Sequence, residues 1–524
     1  MRKFNVTGIC VPAKHYMVDI SGKIAQIKKL IDDECYFTIN RARQYGKTTT
    51  LYEIRRRLSN EYLIVKISFE GLGEESFSSP ELFCPAFLRQ IETALESPSV
   101  NAEPDYIEQW ANYDIDNFDL LSRHISKMCK NKKIVLMIDE VDRTSNNRVF
   151  LQFLSMLRKK FLARDGGDDY TFHSVILAGV YDIKNIKLKM MNEGFYTPTE
   201  TEGKIYNSPW NIAVNFNVDM SFNPAEISTM LKEYESDRKT GMDINSISEE
   251  IHGYTNGYPF LVSRICQCID EELNKNWTIP SIQQAVNIII HEKNTLFDDI
   301  YKNLENNKKL YNFIYDILIL GRNYSFKFGN PTIDLAAMFG IIQNKDGSAA
   351  VSNRIFEIII YDYFISKDQT DVKTKTPNGI ISDVIIDNKF NMEVCLRKFA
   401  DYYAEIFTEK DEKFLERHGR LLFLSYLRPF INGKGFYHIE SETRNQRKMD
   451  IVVDYGNDQF ILELKIWDGE KYHQEAYKQL LDYMDIKKST TGYLLTFDFR
   501  KAANKERRAE WVQIMGKKIF DVII

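Results

Sequence analysis

No run in this chain approaches eighteen apolar residues, so no membrane-spanning helix is expected. The first residues lack the apolar core of a signal peptide. The eight histidines show no H-x-x-x-H spacing. The seven cysteines stand at positions 10, 35, 84, 129, 266, 268 and 395. Only Cys266 and Cys268 are close, and no second pair completes a zinc site. They read as reduced core thiols of a cytoplasmic protein. Internal repeats and low-complexity tracts are missing too. Positive charge is scarce: 69 Lys and Arg face 74 Asp and Glu, a net charge of −5. The whole chain therefore repels phosphate, and any nucleic-acid surface must be a local basic patch. Arg55-Arg56-Arg57, Arg158-Lys159-Lys160 and the stretch from Arg500 to Arg508 are the candidates, and each reads first as a solvated helix face.

What is present is enough to build real cores. The 524 residues are 44% hydrophobic and 27% charged, a composition that fits a globular chain of about two to four domains. The most informative stretch is RKMDIVVDYGNDQFILELK, from Arg447 to Lys465. It reads as two strands around a Gly456-Asn457 turn. That turn sets Tyr455 opposite Asp458 and, counting outward, Asp450 opposite Glu463. Lys465 falls on the same face as Glu463. Carboxylates facing each other across a ladder repel, and a divalent cation between them removes the repulsion. Hard oxygen ligands beside a lysine are what metal-dependent phosphodiester hydrolysis needs. The bland alternative is an amphipathic hairpin with a charged, solvated face.

Neighbouring residues sharpen the reading. Arg447 precedes Asp450 as R-x-x-D, Gln479 and Tyr483 form Q-x-x-x-Y on an expected helix, and Glu416 lies in FLERHGRLLFLSYLRP, another expected helix. The set resembles the PD-(D/E)xK nuclease superfamily, in its branch with the Q-x-x-x-Y helix. The resemblance implies Asp450 and Glu463 as metal ligands and Lys465 as the water-activating residue. It implies Glu416 as a third carboxylate, with Glu412, Glu440 and Glu442 as nearby competitors. Gln479 and Tyr483 would position substrate. Met449 stands where the motif's proline would be.

A second site lies near the N-terminus. YFTIN, from Tyr36 to Asn40, reads as a buried strand, and RARQYGKTTT leads from it into a helix. Strand, loop, Gly-Lys-Thr and helix make the phosphate-loop layout. Gly46, Lys47, Thr48 and Thr49 would hold the phosphates of ATP, and the Thr48 hydroxyl would bind Mg²⁺. The first glycine of that pattern falls on Arg41, which leaves open whether ATP is hydrolysed or only bound. IVLMIDEVD, from Ile134 to Asp142, reads as a strand buried on both faces, ending in Asp139 and Glu140. Asp139 would hold Mg²⁺ and Glu140 would polarise water. SVILAG, from Ser174 to Gly179, fits the same sheet, with Asp182 beyond it as a candidate phosphate sensor. Gly257-Tyr258-Pro259 sits between expected helices, and Arg264 follows. RARQYGKTTTL, LMIDEVD, SPWNIAVNF and NGYPFLVSRI together resemble the AAA-ATPase-like family of bacterial proteins, in which such a module often precedes a PD-(D/E)xK domain. Nucleotides commonly bind between AAA-like subunits, so the resemblance allows a homo-oligomer.

The expected fold class is α/β. It comprises a doubly wound AAA-like P-loop core at 1–220, a helical lid at 221–300 and a winged-helix-like connector at 301–365 with its hairpin turn at Asp346-Gly347. A polar linker at 366–379 and a nuclease-like domain at 380–524 complete it. The expected function is that of an ATP-binding protein whose Mg²⁺-dependent nuclease domain cleaves DNA under nucleotide control. The competing expectation is a nucleotide-dependent switch or scaffold that binds nucleic acid or a protein without cutting.

Overall fold

A computed structural model describes residues 2–524 apart from 112–113, 142–147, 181–209, 320–321, 372–383, 387–388, 407–418, 420–421, 425, 429, 432–434, 441–449, 457, 499 and 501–507. Its contacts divide the chain into two compact units. The first comprises Met1–Ser248, Gly257–Gln267 and Met338–Gly340.

At its centre is a parallel sheet of β1 (Tyr36–Asn40), β2 (Leu63–Ser68), β3 (Ile134–Asp139) and β4 (Ser174–Gly179), in the order β1-β4-β3-β2. Every residue of β3 and β4 is buried, as their apolar runs require. Around the sheet run α1 (Ser21–Asp32), α2 (Lys47–Leu58), α3 (Pro80–Leu95), α4 (Pro104–Trp110), α5 (Phe118–Cys129) and α6 (Arg148–Asp165). Their core is aromatic, with Phe83, Phe87, Phe153, Trp110 and Trp210 fully buried in one cluster. The outer edge of β1 takes a parallel bridge from Val214, whose N–H donates to the Tyr36 carbonyl at 2.9 Å. Because the strands all run parallel, the loops that follow β1 and β3 leave the sheet at the same edge. Open α/β sheets bind their ligands at that edge.

Residues near the N-terminus are strapped to α7 (Pro224–Arg238). Phe4, Tyr16 and Tyr234 pack ring to ring at 5.1–5.2 Å, and Arg2 pairs with Glu233 and Asp237. Asn223 and Glu226 close a capping box on α7, so Ser221-Phe222-Asn223-Pro224 is a helix start. Next come α8 (Ile244–Thr255) and α9 (Pro259–Glu271), with Gly257 between them at φ 69°. The Gly257 carbonyl accepts the Phe222 N–H at 2.8 Å. A Cβ built on Gly257 would lie 2.1 Å from the Phe222 carbonyl oxygen. Gly257→Ala therefore combines a left-handed backbone with a backbone clash. It is expected to destabilise this unit by about 3 kcal/mol or more, read as a shift in the urea midpoint.

The second unit comprises Glu249–Asn256, Cys268–Ala337 and Ile341–Ile524. Helices α10 (Ile279–His291), α11 (Thr295–Asn306), α12 (Lys308–Leu318) and α13 (Pro331–Met338) precede a hairpin of β5 (Ile342–Lys345) and β6 (Ser348–Val351). Its turn is Asp346-Gly347, with both residues at positive φ. Then α14 (Arg354–Asp371) runs into the stretch expected to be linker. Ser366 to Asp371 contains neither Pro nor Gly, so nothing breaks the helix there.

A short strand pair, β7 (Ile385–Ile386) and β8 (Lys389–Phe390), leads to α15 (Met392–Ile406). A six-stranded mixed sheet follows, built from β9 (Gly435–Glu440), β10 (Asp450–Tyr455), β11 (Asp458–Ile466), β12 (Thr491–Phe497), β13 (Arg508–Ile514) and β14 (Lys517–Ile523), in the order β13-β14-β12-β11-β10-β9. The parallel strands β11 and β12 are joined through α16 (Glu470–Ile486). Helix α14 is tied to this sheet at two places. Arg354 pairs with Asp454 on β10 at 2.9 Å. Asp362 meets Arg428 and the Tyr437 hydroxyl, each at 3.4 Å.

Candidate functional sites

The loop from Arg41 to Gly46 curls around the Lys47 side chain. Its ammonium donates to the carbonyls of Arg41 and Ala42 at 2.9 and 3.0 Å. Gln44 and Gly46 are the loop's left-handed residues, at φ 56° and 77°. Arg41 is not at positive φ, so an arginine in place of glycine strains no backbone there. Its guanidinium donates to the Asn40 and Val218 carbonyls, both at 2.8 Å, and lies 5.4 Å from the Phe216 ring. Burial lowers its pKa, with Tyr45 and Asp219 opposing.

Helix α2 begins at Lys47, so the N–H groups of its first turn, including Thr48 and Thr49, have no acceptor within the helix. The Thr49 hydroxyl accepts the Cys10 N–H at 3.2 Å. Across the loop stands the Gly257-Tyr258-Pro259 element. The Tyr258 hydroxyl donates to the Arg43 carbonyl at 2.5 Å, and its ring packs edge-on to Tyr45 at 4.7 Å. Burial pushes the Tyr45 phenol up to about 12. Arg264, one turn further on, approaches Gln267 of its own helix at 3.5 Å.

Asp139 ends β3 with its side chain buried, and its Oδ1 accepts the Glu140 N–H at 3.1 Å. Glu140 is held at φ 55°, a left-handed conformation that bulky residues adopt at a cost. Lys66, on the adjoining strand β2, sets its ammonium 3.6 Å from Asp139 Oδ2. A cation already sits against this carboxylate, which fits Asp139 to a magnesium ion. Asp182 lies outside the described residues.

The second site is the hairpin of β10 and β11. Its register pairs Asp450 with Glu463 and Tyr455 with Asp458, as counted from the turn. On its other side Asp450 pairs with Glu440 of β9. Three carboxylate residues thus occupy one row across three strands. The side chains of Asp450 and Glu440 lie outside what the structure describes, as do residues Glu416, Glu412, Glu442, Arg447 and Met449 entirely. Glu463 is 1% exposed and Lys465 17%, with Nζ 2.6 Å from Glu463 Oε1. Lys465 is half-buried against its carboxylate. A buried carboxylate neutralised by an ammonium fits a divalent cation. Among the described residues, no group of three His, Cys, Asp or Glu is gathered as a complete metal cluster.

Helix α16 covers the face that carries Glu463 and Lys465. Ile461, two residues before Glu463, packs with Val452 and Leu494 against Leu480, Tyr483 and Met484. Tyr483 is therefore a core residue of the nuclease-like sheet. Gln479 is half-buried, and its Oε1 is buried with no hydrogen-bond partner among the described residues.

Sequence reasoning missed a network at the start of the same helix. Asp521 Oδ2, fully buried, lies 3.0 Å from His473 Nε2 and accepts from the Tyr477 hydroxyl and from Arg508, both at 2.7 Å. The His473/Tyr477 spacing of i, i+4 and an Asp inside the apolar run IFDVII were its signals. Burial alone would raise the Asp521 carboxyl. The hydrogen bonds from His473 and Tyr477, with the charges of His473 and Arg508, outweigh that and hold it below the ordinary carboxylate value. A depressed pKa gives stability that is present above the unfolded value and lost as pH falls through the folded one. Acid melting is therefore expected to steepen below about pH 4. Asp521→Asn should flatten that limb and cost about 3 kcal/mol at neutral pH, read by thermal melts across a pH series.

A family model described as an AAA-like domain matches residues 12–362, and one for the PD-(D/E)XK nuclease superfamily matches residues 436–509. The second match includes Glu440, Asp450, Glu463, Lys465, Gln479 and Tyr483, and leaves out Glu416. Among solved structures, a Walker-type ATPase of Pyrococcus abyssi is 14% identical, with a TM-score of 0.46 over 68% of this chain and 99% of that one. The ORC2 protein of Aeropyrum pernix in its ADPNP–ADP complexes is 12% identical, with a TM-score of 0.33 over 68% and 97%. Its ADP form gives 12% and 0.33 over 70% and 97%. No curated protein matches the chain.

Proposed function

The chain belongs to the AAA-like domain family and carries a PD-(D/E)XK nuclease superfamily domain, and from that premise we propose that it binds ATP and cleaves phosphodiester bonds of DNA under nucleotide control. The observation that carries the cleavage half is the Glu463–Lys465 pair, in register with Asp450. Asp450 and Glu463 would hold a divalent cation, Mg²⁺ in the cell. Glu440 joins them as the third carboxylate in preference to Glu416, because it occupies the same row of the sheet. A bound cation there supplies Lewis-acid polarisation of the scissile phosphate. Lys465 orients the attacking water and donates to the oxygen on which negative charge builds. The Gln479 oxygen, buried and without a partner among the described residues, is suited to accept a hydrogen bond from substrate or water at the helix face.

At the other site Lys47 and the first-turn N–H groups of α2 would hold the phosphates. Thr48 and Asp139 would hold the accompanying magnesium. Glu140, fixed at the end of β3, is placed in sequence to polarise water. The Tyr258 bond to the Arg43 carbonyl gives the lid helices a direct grip on the loop. Ligand occupancy of the loop would thereby bias their arrangement. The test is a cleavage assay of the full chain on single- and double-stranded DNA and RNA, with and without ATP and Mg²⁺. Metal-dependent DNA cleavage whose rate changes with ATP supports the reading. Nucleotide binding with no cleavage of any substrate would replace it with the scaffold alternative.

A further inference from the structure

Lys66 has no place in the phosphate-loop pattern, yet it lies beside that pattern's acidic residue. The parallel register sets Lys66 against Met137 and Ser68 against Asp139. Lys66 and Asp139 therefore share one face of the sheet. Arg55, on α2, also acts on Lys66. The shared face is thus the one beneath the helix whose N-terminus forms the phosphate loop. The pair is well sheltered, with side chains 15% and 5% exposed and 3.6 Å between Lys66 Nζ and Asp139 Oδ2.

Asp139 Oδ1 already accepts the Glu140 N–H and Oδ2 faces the ammonium, so a second cation at Oδ2 would compete with Lys66. A magnesium ion bound directly at Oδ2 would approach the oxygen to about 2 Å, nearer than the ammonium at 3.6 Å. This brings two positive charges together in a region of low dielectric, where their repulsion is strong. Displacement of Lys66 relieves that repulsion. The phosphates that arrive with the metal are anions with which it can pair.

We infer that Lys66 is a positioning residue that occupies Asp139 until a magnesium–nucleoside triphosphate binds, and then moves onto a phosphate oxygen. Metal enters this site with the nucleotide and not ahead of it. In the absence of magnesium the same ammonium still neutralises phosphate, so nucleotide binding is only weakly dependent on the metal. The inference rests on the nucleotide reading proposed above.

The experiment titrates the full-length protein with a fluorescent methylanthraniloyl-ATP, once in Mg²⁺ and once in EDTA, and compares the two dissociation constants. Removing the ammonium by Lys66→Met is expected to raise the ratio of EDTA to Mg²⁺ dissociation constants by at least about tenfold. Lys66→Arg, which keeps the charge, should leave the ratio near the parent's. Lys66→Gln serves for the same comparison if the Met variant does not fold. A neutral variant whose ratio stays within about twofold of the parent overturns the inference. So does an Arg variant that shifts as far as the neutral one. A parent protein that binds no nucleotide in either buffer overturns the nucleotide reading as well, and so the two failures are told apart.

Discussion

Replacing Lys465 with alanine is expected to lower Mg²⁺-dependent DNA cleavage by about a thousandfold. The ammonium has two tasks in the proposed reaction, orienting water and meeting developing charge, and alanine performs neither. The same change should also cost stability. Lys465 is the cation 2.6 Å from Glu463, whose side chain is 1% exposed. Taking that cation away from the buried carboxylate costs about 3 kcal/mol. A divalent cation would supply the missing charge. The alanine variant should therefore melt lower than the parent in EDTA and recover much of the difference when Mn²⁺ is added. The measurements are a cleavage time course and paired thermal melts. Cleavage by the alanine variant at the parent's rate would remove the proposed chemistry from this site.

Lys47→Ala is expected to weaken ATP binding by at least about a hundredfold. The loop is built around this ammonium, which bonds the Arg41 and Ala42 carbonyls at 2.9 and 3.0 Å. Its loss removes the phosphate contact and leaves two carbonyls to find other donors. Glu140→Gln should separate binding from turnover. Affinity stays within about threefold of the parent while hydrolysis falls by about a hundredfold or more. Equilibrium titration and phosphate release read the two effects. A Glu140→Gln protein that still hydrolyses ATP at the parent's rate would take Glu140 out of the mechanism.

The hairpin register was legible because a two-residue turn leaves one pairing and one parity. Tyr455 opposite Asp458 entails Asp450 opposite Glu463. The row's third member was not legible in the same way. The sequence from Ser441 to Met449 carries no two-residue turn signal to count from, so Glu440 stood only as one competitor among several. The start of α7 announced itself through Asn223, Pro224 and Glu226. The closing hairpin of β13 and β14 did not, because basic residues from Arg500 to Arg508 drew attention to charge. The structure commits both ends of that run to carboxylates: Arg500 to Asp498 and Arg508 to Asp521. Arg41 reads as a defect in a motif, but what the backbone requires is a left-handed residue at Gln44 and Gly46, and it has both.

Helix α14 bears on how this protein can be dissected. Its Arg354 holds Asp454 on the very strand that begins with Asp450, and its Asp362 holds Tyr437 and Arg428. A C-terminal fragment cut at residue 380, where the polar stretch invites a boundary, would lose all of these anchors. Asp454 would keep its bond from Gln459 but lose the one from Arg354. An inactive fragment of that length would say little about the intact chain, and the shortest piece worth purifying starts before Arg354.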